Sequence, residues 1–324
     1  MSADNVGSAR DRTWLVAVAA AFWGTSALMR EPLAEQMPAA TIVLYEHLFI
    51  VLCLLPWLPS AVRGFARASA RVKAALIVIG GGSSALAATL FTAAFAVGDP
   101  ITPPVLQKLQ PILAMLLAAV FLRERITPRF GWFAIPAVLG AWLLAFADPF
   151  AVGIESATAA LLALGAALLW AAGTVFGRLA GSELEPSQVT ALRFLFGLVA
   201  AGLIVAVRGA PVVFAPVTTS NVLLLVLLAL VPGLLSLLVY YQGLRATPAS
   251  RATLAELAFP VTAALVGVVF LGQGLVPSQW VGFGIVVAAV TAMSLYEQST
   301  RARDTVEVRD TPFDAAESGP EPVR

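Results

Sequence analysis

Long apolar runs dominate this chain and restrict it to folds that a membrane can accommodate. Ten runs are each long enough to cross a hydrocarbon core about 30 Å thick, and they cover residues 13–30, 39–58, 74–97, 103–122, 130–147, 156–177, 187–207, 221–243, 250–271 and 279–297. Hydrophobic residues make up 59% of the 324 positions and charged residues 12%, whereas soluble domains carry about 25% charged residues. We therefore predict an all-α polytopic membrane protein with ten transmembrane helices.

The distribution of basic residues predicts the orientation of these helices. If the N-terminus is cytoplasmic, sixteen of the twenty lysines and arginines lie in cytoplasmic segments, and only Arg30 and Arg208 lie in outer segments. The remaining two, Lys108 and Arg193, lie within predicted spans. Because cytoplasmic loops are enriched in Lys and Arg, both termini are predicted to face the cytoplasm. The abundance of Ala, Leu, Val and Arg is typical of GC-rich bacterial genomes and favours the bacterial inner (cytoplasmic) membrane.

Composition also excludes several kinds of function. A formal net charge of +1 offers no bulk attraction to nucleic acid. Cys53 is the only cysteine and His47 the only histidine, so an internal disulfide and a His-rich metal site are excluded. The sequence has no Gly-rich phosphate loop ending in Gly-Lys, so we do not expect transport driven by ATP hydrolysis. We expect no cofactor and no metal; the expected partners are a small-molecule substrate and the lipid bilayer, with a monomer and a homodimer both open.

The sequence is internally repeated with a period close to half its length. Matched positions at spacings of 147 to 149 residues are Trp23 with Trp170, Pro38 with Pro186, and Pro111 with Pro260. Each repeat has five predicted helices, an odd number, so the second copy must enter the membrane from the opposite side. Inverted repeats of this kind place a substrate site near the membrane midplane, between the two halves.

The repeat also predicts the domain organisation. The segments are a cytoplasmic N-terminal segment at 1–12, a first five-helix repeat at 13–147, a connecting loop at 148–155, a second five-helix repeat at 156–297 and a cytoplasmic tail at 298–324. The tail is charged and contains proline and glycine, so we predict that it is disordered.

One charged residue precedes a proline inside an apolar run in each half. Lys108 lies three residues before Pro111, and Glu256 lies four residues before Pro260. A charge in a membrane span costs roughly 2.5–3.5 kcal/mol and faces protein or a water-filled cavity, so both residues are functional-site candidates. Gln107 beside Lys108 adds a polar patch that a lysine snorkelling to the surface does not need. We predict that Gln107, Lys108 and Glu256 contact the substrate.

Several motifs recur in a characteristic order. Tryptophan marks the opening helix of each half, at Trp23-Gly24 and Trp170, and a proline-led second helix carries Arg193 in the second half. The string Phe-Leu-x-Glu-Arg-Ile-Thr closes the fourth apolar run at residues 121–127. In these features, over nearly all of residues 13–297, the chain resembles the two-copy EamA group of the drug/metabolite transporter superfamily. The resemblance implies a ten-helix secondary carrier, and many such proteins export amino acids or other small metabolites.

Glu46 and His47 are adjacent ionisable residues in the second predicted helix. They lie about eight residues, or roughly 12 Å, from its start, and neither can face lipid cheaply. One interpretation is a proton-coupling pair, because histidine titrates near neutral pH and a carboxylate in a cavity can be shifted toward it. The other interpretation is a structural hydrogen-bond node that joins helices.

Arg193 and the two repeat-matched tryptophans complete the candidate substrate-binding site. A guanidinium is always charged and suits bidentate binding of a carboxylate. The alternative is that Arg193 forms a fixed ion pair with Glu256 or Glu46. Trp23 and Trp170 either line the substrate site or serve as packing residues.

The charges predicted inside the membrane indicate the class of cargo. Glu46 and Glu256 balance Lys108 and Arg193, which suits a small zwitterion such as an amino acid. We therefore predict a secondary active transporter, an exporter of a small polar metabolite such as an amino acid, that alternates access between its two repeats. The alternatives are an intramembrane enzyme with Glu46 and His47 as acid and base, an exporter of lipophilic cationic drugs, and a non-transporting scaffold or receptor.

Overall fold

The computed structural model describes residues 12–98, 101–121, 130–146, 148–150, 154–212, 218–244, 255 and 258–310. All regular secondary structure in these residues is helical, which confirms the all-α prediction. The helices are α1 (Thr13–Gly24), α2 (Ser26–Ala34), α3 (Ala39–Leu54), α4 (Leu58–Arg67), α5 (Ala70–Val78), α6 (Ala87–Val97), α7 (Thr102–Leu106), α8 (Gln110–Phe121), α9 (Phe130–Ala145), α10 (Ile154–Ala180), α11 (Pro186–Arg208), α12 (Thr219–Leu228), α13 (Ser236–Leu244), α14 (Ala258–Val269) and α15 (Pro277–Asp310).

Short irregular segments join several of these helices into longer rods. They are the 3-10 turns Leu55–Trp57 and Gln107–Leu109 and the π-helical segments Ile79–Leu86 and Ala229–Leu235. We call the rod from α5 to α6 the first π rod and the rod from α12 to α13 the second π rod. Pro232 favours the break in the second π rod, because proline has no backbone N–H to donate to the preceding turn. Segments of π-helix are rare in proteins, and those that occur are often found at functional sites.

Many of these helices have the length and composition of membrane spans. Five stretches are long and apolar enough to cross a bilayer: Ala39–Arg67, Ala70–Val97, Ile154–Gly177, Pro186–Arg208 and Thr219–Tyr240. Shorter apolar helices cover Gly131–Leu144, Ala258–Val269 and Pro277–Ala289. Large apolar side chains such as Trp132, Leu161 and Val207 are exposed on the outside of the bundle, where lipid would cover them. The protein is therefore a multi-pass membrane protein.

The two halves contact each other through exchanged pairs of helices. Helix α1 of the first half packs against α13 and α14 of the second, and α10 of the second half packs against α6 and α8 of the first. Helices α3 and α11 pack against each other, as do α9 and α15. By the sequence repeat, α10, α13 and α14 are the counterparts of α1, α6 and α8. Each contact therefore has its counterpart, which is the pattern that an approximate twofold relation between the halves requires.

The two π-helical segments obey the same relation. A shift of 149 residues carries positions 80–86 of the first π rod onto 229–235 of the second. The residues differ, since the first segment contains three consecutive glycines at 80–82 and the second contains Pro232. The position of the break is therefore shared by the repeats although its sequence is not.

Helices α9 and α15 approach closely because glycines lie at their contact. A Cβ atom added to Gly140 would lie 2.8 Å from Cγ2 of Ile285, and one added to Gly282 would lie 2.6 Å from the carbonyl oxygen of Gly140. Small residues at such contacts allow the close backbone approach by which membrane helices associate.

The last helix is longer than the sequence predicts. Helix α15 continues to Asp310, whereas we place the start of the disordered tail at residue 298. No proline or glycine occurs between residues 298 and 311, so nothing in the sequence stops the helix there before Pro312. The rest of the predicted tail lies outside the described residues.

Candidate functional site

A buried ion pair joins helices α2 and α3. Arg30 on α2 and Glu46 on α3 have side chains that are only 8% and 9% exposed. Nη2 of Arg30 donates to both carboxylate oxygens of Glu46, each at 2.8 Å. Charge-assisted bonds of this kind are strong, and removing one partner leaves an uncompensated buried charge. Arg30, which the sequence places in an outer segment, is thus the ionic partner of Glu46.

The other donors of the Arg30 guanidinium have different surroundings. Nη1 donates to the hydroxyl of Thr92, a fully buried residue of α6. The guanidinium carbon lies 5.9 Å from the centre of the Phe91 ring, within the range of a cation–π contact. Nε is buried and has no hydrogen-bond partner among the described residues. The Nε–H of Arg30 is therefore a donor that the described protein groups do not satisfy.

His47 is held on both sides of its ring. It is 2% exposed, its Nδ1 lies 2.9 Å from the carbonyl oxygen of Val43, and its Nε2 lies 2.9 Å from Oγ of Ser84. Because a carbonyl only accepts, Nδ1 carries the hydrogen and donates it to Val43. The Ser84 hydroxyl can donate to a neutral ring or accept from a charged one, so both contacts are compatible with either protonation state of His47.

Helix α11 closes over His47 through a glycine. A Cβ atom added to Gly197 would lie 2.6 Å from Cδ2 of His47 and 3.2 Å from Cβ of Ser84. The neighbouring Phe194 places its ring 5.4 Å from the imidazole. The second half thus contributes one wall of the histidine site.

The first π-helical segment links these groups to the second half. Ser83 donates from Oγ to the carbonyl oxygen of Leu169 on α10 at 2.6 Å, while the next residue, Ser84, contacts His47. Arg193 on α11 donates from Nη2 to the carbonyl oxygen of Ser83 at 3.3 Å. The π segment therefore directs two consecutive serines and one carbonyl toward three different helices.

The repeat-matched tryptophans each pack against an aromatic ring of the other half. Trp23 lies 5.1 Å from Tyr240, and Trp170 lies 5.1 Å from Phe91, both between ring centres. Phe91 and Tyr240 are themselves 149 residues apart, so the two pairs correspond in the repeat. The second of these pairs adjoins a charge, because Phe91 also contacts Arg30.

The other predicted site residues lie at the edge of what the structure describes. Gln107 is half-buried and begins the 3-10 turn between α7 and α8. Lys108 occupies the same turn, but its side chain lies outside the described part of the chain, and Glu256 lies outside it altogether. Among the predicted residues, the structure brings His47 and Arg193 to the first π rod, through Ser84 and Ser83, and pairs Glu46 with Arg30.

Sequence reasoning did not identify Arg30 as part of this cluster. The available signal was its exception to the charge bias, since Arg30 is one of only two basic residues assigned to the outer side. An arginine there, only sixteen residues before Glu46, is a candidate for an intramembrane ion pair.

Hydrogen bonds between the halves occur at both ends of the bundle. At one end, Asn221 donates from Nδ2 to Oε1 of Gln36 at 2.9 Å, and Thr41 donates to the carbonyl oxygen of Pro211 at 2.8 Å. At the other end, Ser69 donates to Glu183 from its backbone N at 2.7 Å and from Oγ at 2.6 Å. These two bonds lower the pKa of the exposed Glu183 carboxyl below its usual value.

The chain is similar to known transporters. The model of the EamA-like transporter family matches it twice, at residues 13–146 and 157–295. The uncharacterized transporter YwfM of Bacillus subtilis (strain 168) is 30% identical over 186 residues, which are 57% of this chain and 60% of that protein. The riboflavin transporter ImpX of Fusobacterium nucleatum subsp. nucleatum is 29% identical over 192 residues, 58% of this chain and 64% of that protein. The matched regions span less than two thirds of either relative.

A solved crystal structure of another protein has the same fold. It superposes with a TM-score of 0.59 at 20% sequence identity and covers 89% of this chain and 98% of its own. The likeness extends over both halves and supports the helical arrangement described above.

Proposed function

Because the chain belongs to the EamA-like transporter family, we propose that it is a secondary active transporter that exports a small polar metabolite such as an amino acid. In this proposal ten helices cross the bacterial inner membrane as two inverted five-helix repeats, with both termini in the cytoplasm. The two repeats move relative to each other and expose a central site to one side at a time. The exchanged helix contacts support this arrangement, since each half packs against the other through corresponding helices.

The observation that carries the proposal is the buried Arg30–Glu46 pair. Arg30 also donates a hydrogen bond to the hydroxyl of Thr92. Two charges removed from water pay a desolvation cost that well-packed apolar residues of similar size avoid. In a span, such groups mark pathways and sites for polar solutes. A small polar cargo gives these groups a role that a scaffold or receptor lacks.

Two of the alternative functions fit less well. Membership of a transporter family sets aside the intramembrane enzyme with Glu46 and His47 as acid and base. An exporter of lipophilic cations needs buried acid in excess. Here Glu46 is matched by Arg30, and adding Arg30 to the charges counted in the spans gives three basic residues to two acidic ones. A zwitterion or an organic acid fits this balance better than a cation.

We assign proton coupling to Glu46 and His47, with different roles. Glu46 holds Arg30. The contacts of His47 with Val43 and Ser84 suit both its neutral and its charged form, so His47 can take up and release a proton without losing its position.

Flux through reconstituted protein tests the proposed function. Proteoliposomes are loaded with each of the twenty proteinogenic amino acids, with riboflavin, or with tetraphenylphosphonium, and efflux is measured with and without a proton gradient. We expect efflux of at least one amino acid above that of protein-free vesicles, accelerated by the gradient. Efflux of riboflavin or of the lipophilic cation alone would replace the proposed cargo, and no efflux of any probe would contradict export.

Cysteine labelling tests the proposed orientation. Cys53 is exposed on α3 and is removed first. Single cysteines are then placed at Asp148, at Pro211 and at Arg67, and intact cells are treated with a membrane-impermeant maleimide. We expect labelling at Asp148 and Pro211 and none at Arg67 until the cells are broken. Labelling of Arg67 from outside would reverse the orientation.

A further inference from the structure

We propose that Arg30 binds the carboxylate of the substrate and Glu46 its ammonium, so that the ion pair of the empty carrier opens to admit a zwitterion between the two side chains. The inference rests on the proposed amino-acid transport and names the residues that select its substrate class. It assigns the carboxylate contact to Arg30 instead of Arg193 or Lys108, the two residues that the sequence favours.

The fold itself does not require this ion pair. The second repeat has Phe194 and Leu195 at the positions of Glu46 and His47, and α11 nevertheless forms a regular helix there. By contrast, the aromatic pairs Trp170–Phe91 and Trp23–Tyr240 are present in both repeats. Packing features are thus shared between the halves and the Glu46 carboxylate is not, which separates a functional feature from a structural one.

The hydrogen bonds of Arg30 leave room for a second carboxylate. Nη2 alone carries both bonds to Glu46, and Nη1 carries the bond to Thr92. Nε, on the same edge of the guanidinium as Nη2, has no partner among the described residues. A carboxylate placed along that edge would accept two parallel bonds from Nε and Nη2, the geometry in which arginine binds carboxylates most strongly.

The same exchange also satisfies Glu46. An ionised carboxylate only accepts hydrogen bonds, so Glu46 needs new donors once Nη2 turns to another acceptor. A substrate ammonium brings three donors and one positive charge. A zwitterion therefore replaces each half of the ion pair with a group of the same charge, whereas a simple acid or amine leaves one side chain uncompensated.

The pair also lies where movement of the second half can reach it. The Phe91 ring contacts the Arg30 guanidinium on one side and Trp170 of α10 on another. Phe91 also belongs to a buried cluster that includes Val266 of α14. A shift of the second repeat relative to the first therefore changes the surroundings of Arg30 directly.

Binding to purified full-length protein in detergent tests the inference. The probes are the twenty proteinogenic amino acids and, for the one that binds most tightly, its deaminated acid and its decarboxylated amine. The variants are R30Q/E46Q, which keeps a neutral side-chain pair, and R30K, which keeps the charge but loses the planar edge. R208Q, at an exposed arginine at the end of α11, is the control, and gel filtration and melting temperature report folding.

We expect wild type to bind the amino acid more tightly than either analogue. R30Q/E46Q should weaken amino-acid binding by roughly 30-fold or more, as for the loss of a buried charge pair. R30K should weaken binding of the acid analogue by about tenfold and leave binding of the amine analogue unchanged, because only the anion uses the planar edge of the guanidinium. R208Q should bind as wild type does.

The failures of the two proposals are distinguishable. If R30Q/E46Q folds and binds the amino acid within about twofold of wild type, the assignment of Arg30 and Glu46 is wrong while amino-acid transport stands. If R30Q/E46Q does not fold, the test rests on R30K. The inference is then overturned if R30K weakens binding of the acid analogue and of the amine analogue equally. If wild type binds no amino acid, the proposed cargo fails and the inference fails with it.

Discussion

Glu183 accepts two hydrogen bonds from Ser69, one from the backbone N at 2.7 Å and one from Oγ at 2.6 Å, and thereby ties the loop before α11 to the start of α5. The two residues belong to different halves and lie 114 positions apart. At the opposite end of the bundle, Gln36 before α3 accepts a bond from Asn221 at the start of α12. Hydrogen bonds thus join the halves at each end of the bundle. Of the two acceptors, Glu183 is ionisable and Gln36 is not.

The tie at Glu183 should make stability depend on pH in the acidic range. Its folded pKa is lowered, so the bonds to Ser69 stabilise the protein above the pKa of the unfolded carboxyl, and this stabilisation is lost as pH falls through the lowered folded pKa. We expect Glu183→Gln to lower the melting temperature at pH 7 and to match wild type at a pH below the folded pKa. Glu35→Gln, at another exposed carboxylate, is the control. If the difference in melting temperature between Glu183→Gln and wild type is the same at pH 7 and below the folded pKa, the charge of Glu183 does not have this role.

The close approach of α11 to His47 should make Gly197 intolerant of any side chain. The added methyl group of Gly197→Ala would lie 2.6 Å from His47 Cδ2, and such overpacking costs about 1–3 kcal/mol. Gly202 lies on the same helix and has nothing within 4 Å of an added Cβ, so Gly202→Ala should be neutral or mildly stabilising. Melting temperatures of the two purified variants check this. Equal stability of both variants would place α11 farther from His47 than the structure does.

Arg30 and Glu46 should be strongly coupled in stability. Arg30→Gln or Glu46→Gln alone leaves a buried charge without its partner, which costs about 3–5 kcal/mol. The double variant removes both charges and should cost less than the sum of the single variants by at least about 1 kcal/mol. Denaturation of all four proteins in the same detergent measures the coupling. Additive effects would mean that the two side chains do not form a pair in the native protein.

The sequence predicted the architecture better than the site, for a physical reason. Spacings of 147 to 149 residues are set by whole helices, so they identified Trp23 and Trp170 as equivalent before any contact was known. The direction of one side chain depends instead on local breaks. Thr25 separates α1 from α2, so the face that α1 buries does not determine where Arg30 points. In the same way, nothing in the periodicity of residues 74–97 revealed the π-helical segment that directs Ser84 to His47.

The different partners of Glu46 and His47 predict different defects when each loses its charge. The His47→Gln amide can hydrogen-bond to Ser84 but cannot bind a proton near neutral pH, so it should keep substrate exchange between equal concentrations and lose acceleration by a proton gradient. Glu46→Gln should impair both, because it leaves the Arg30 charge without its partner inside the site. Proteoliposome counterflow measures the exchange, and efflux with an imposed proton gradient measures the coupling. Gradient-accelerated efflux by His47→Gln at the wild-type rate would limit His47 to a structural role and overturn its proposed part in proton coupling.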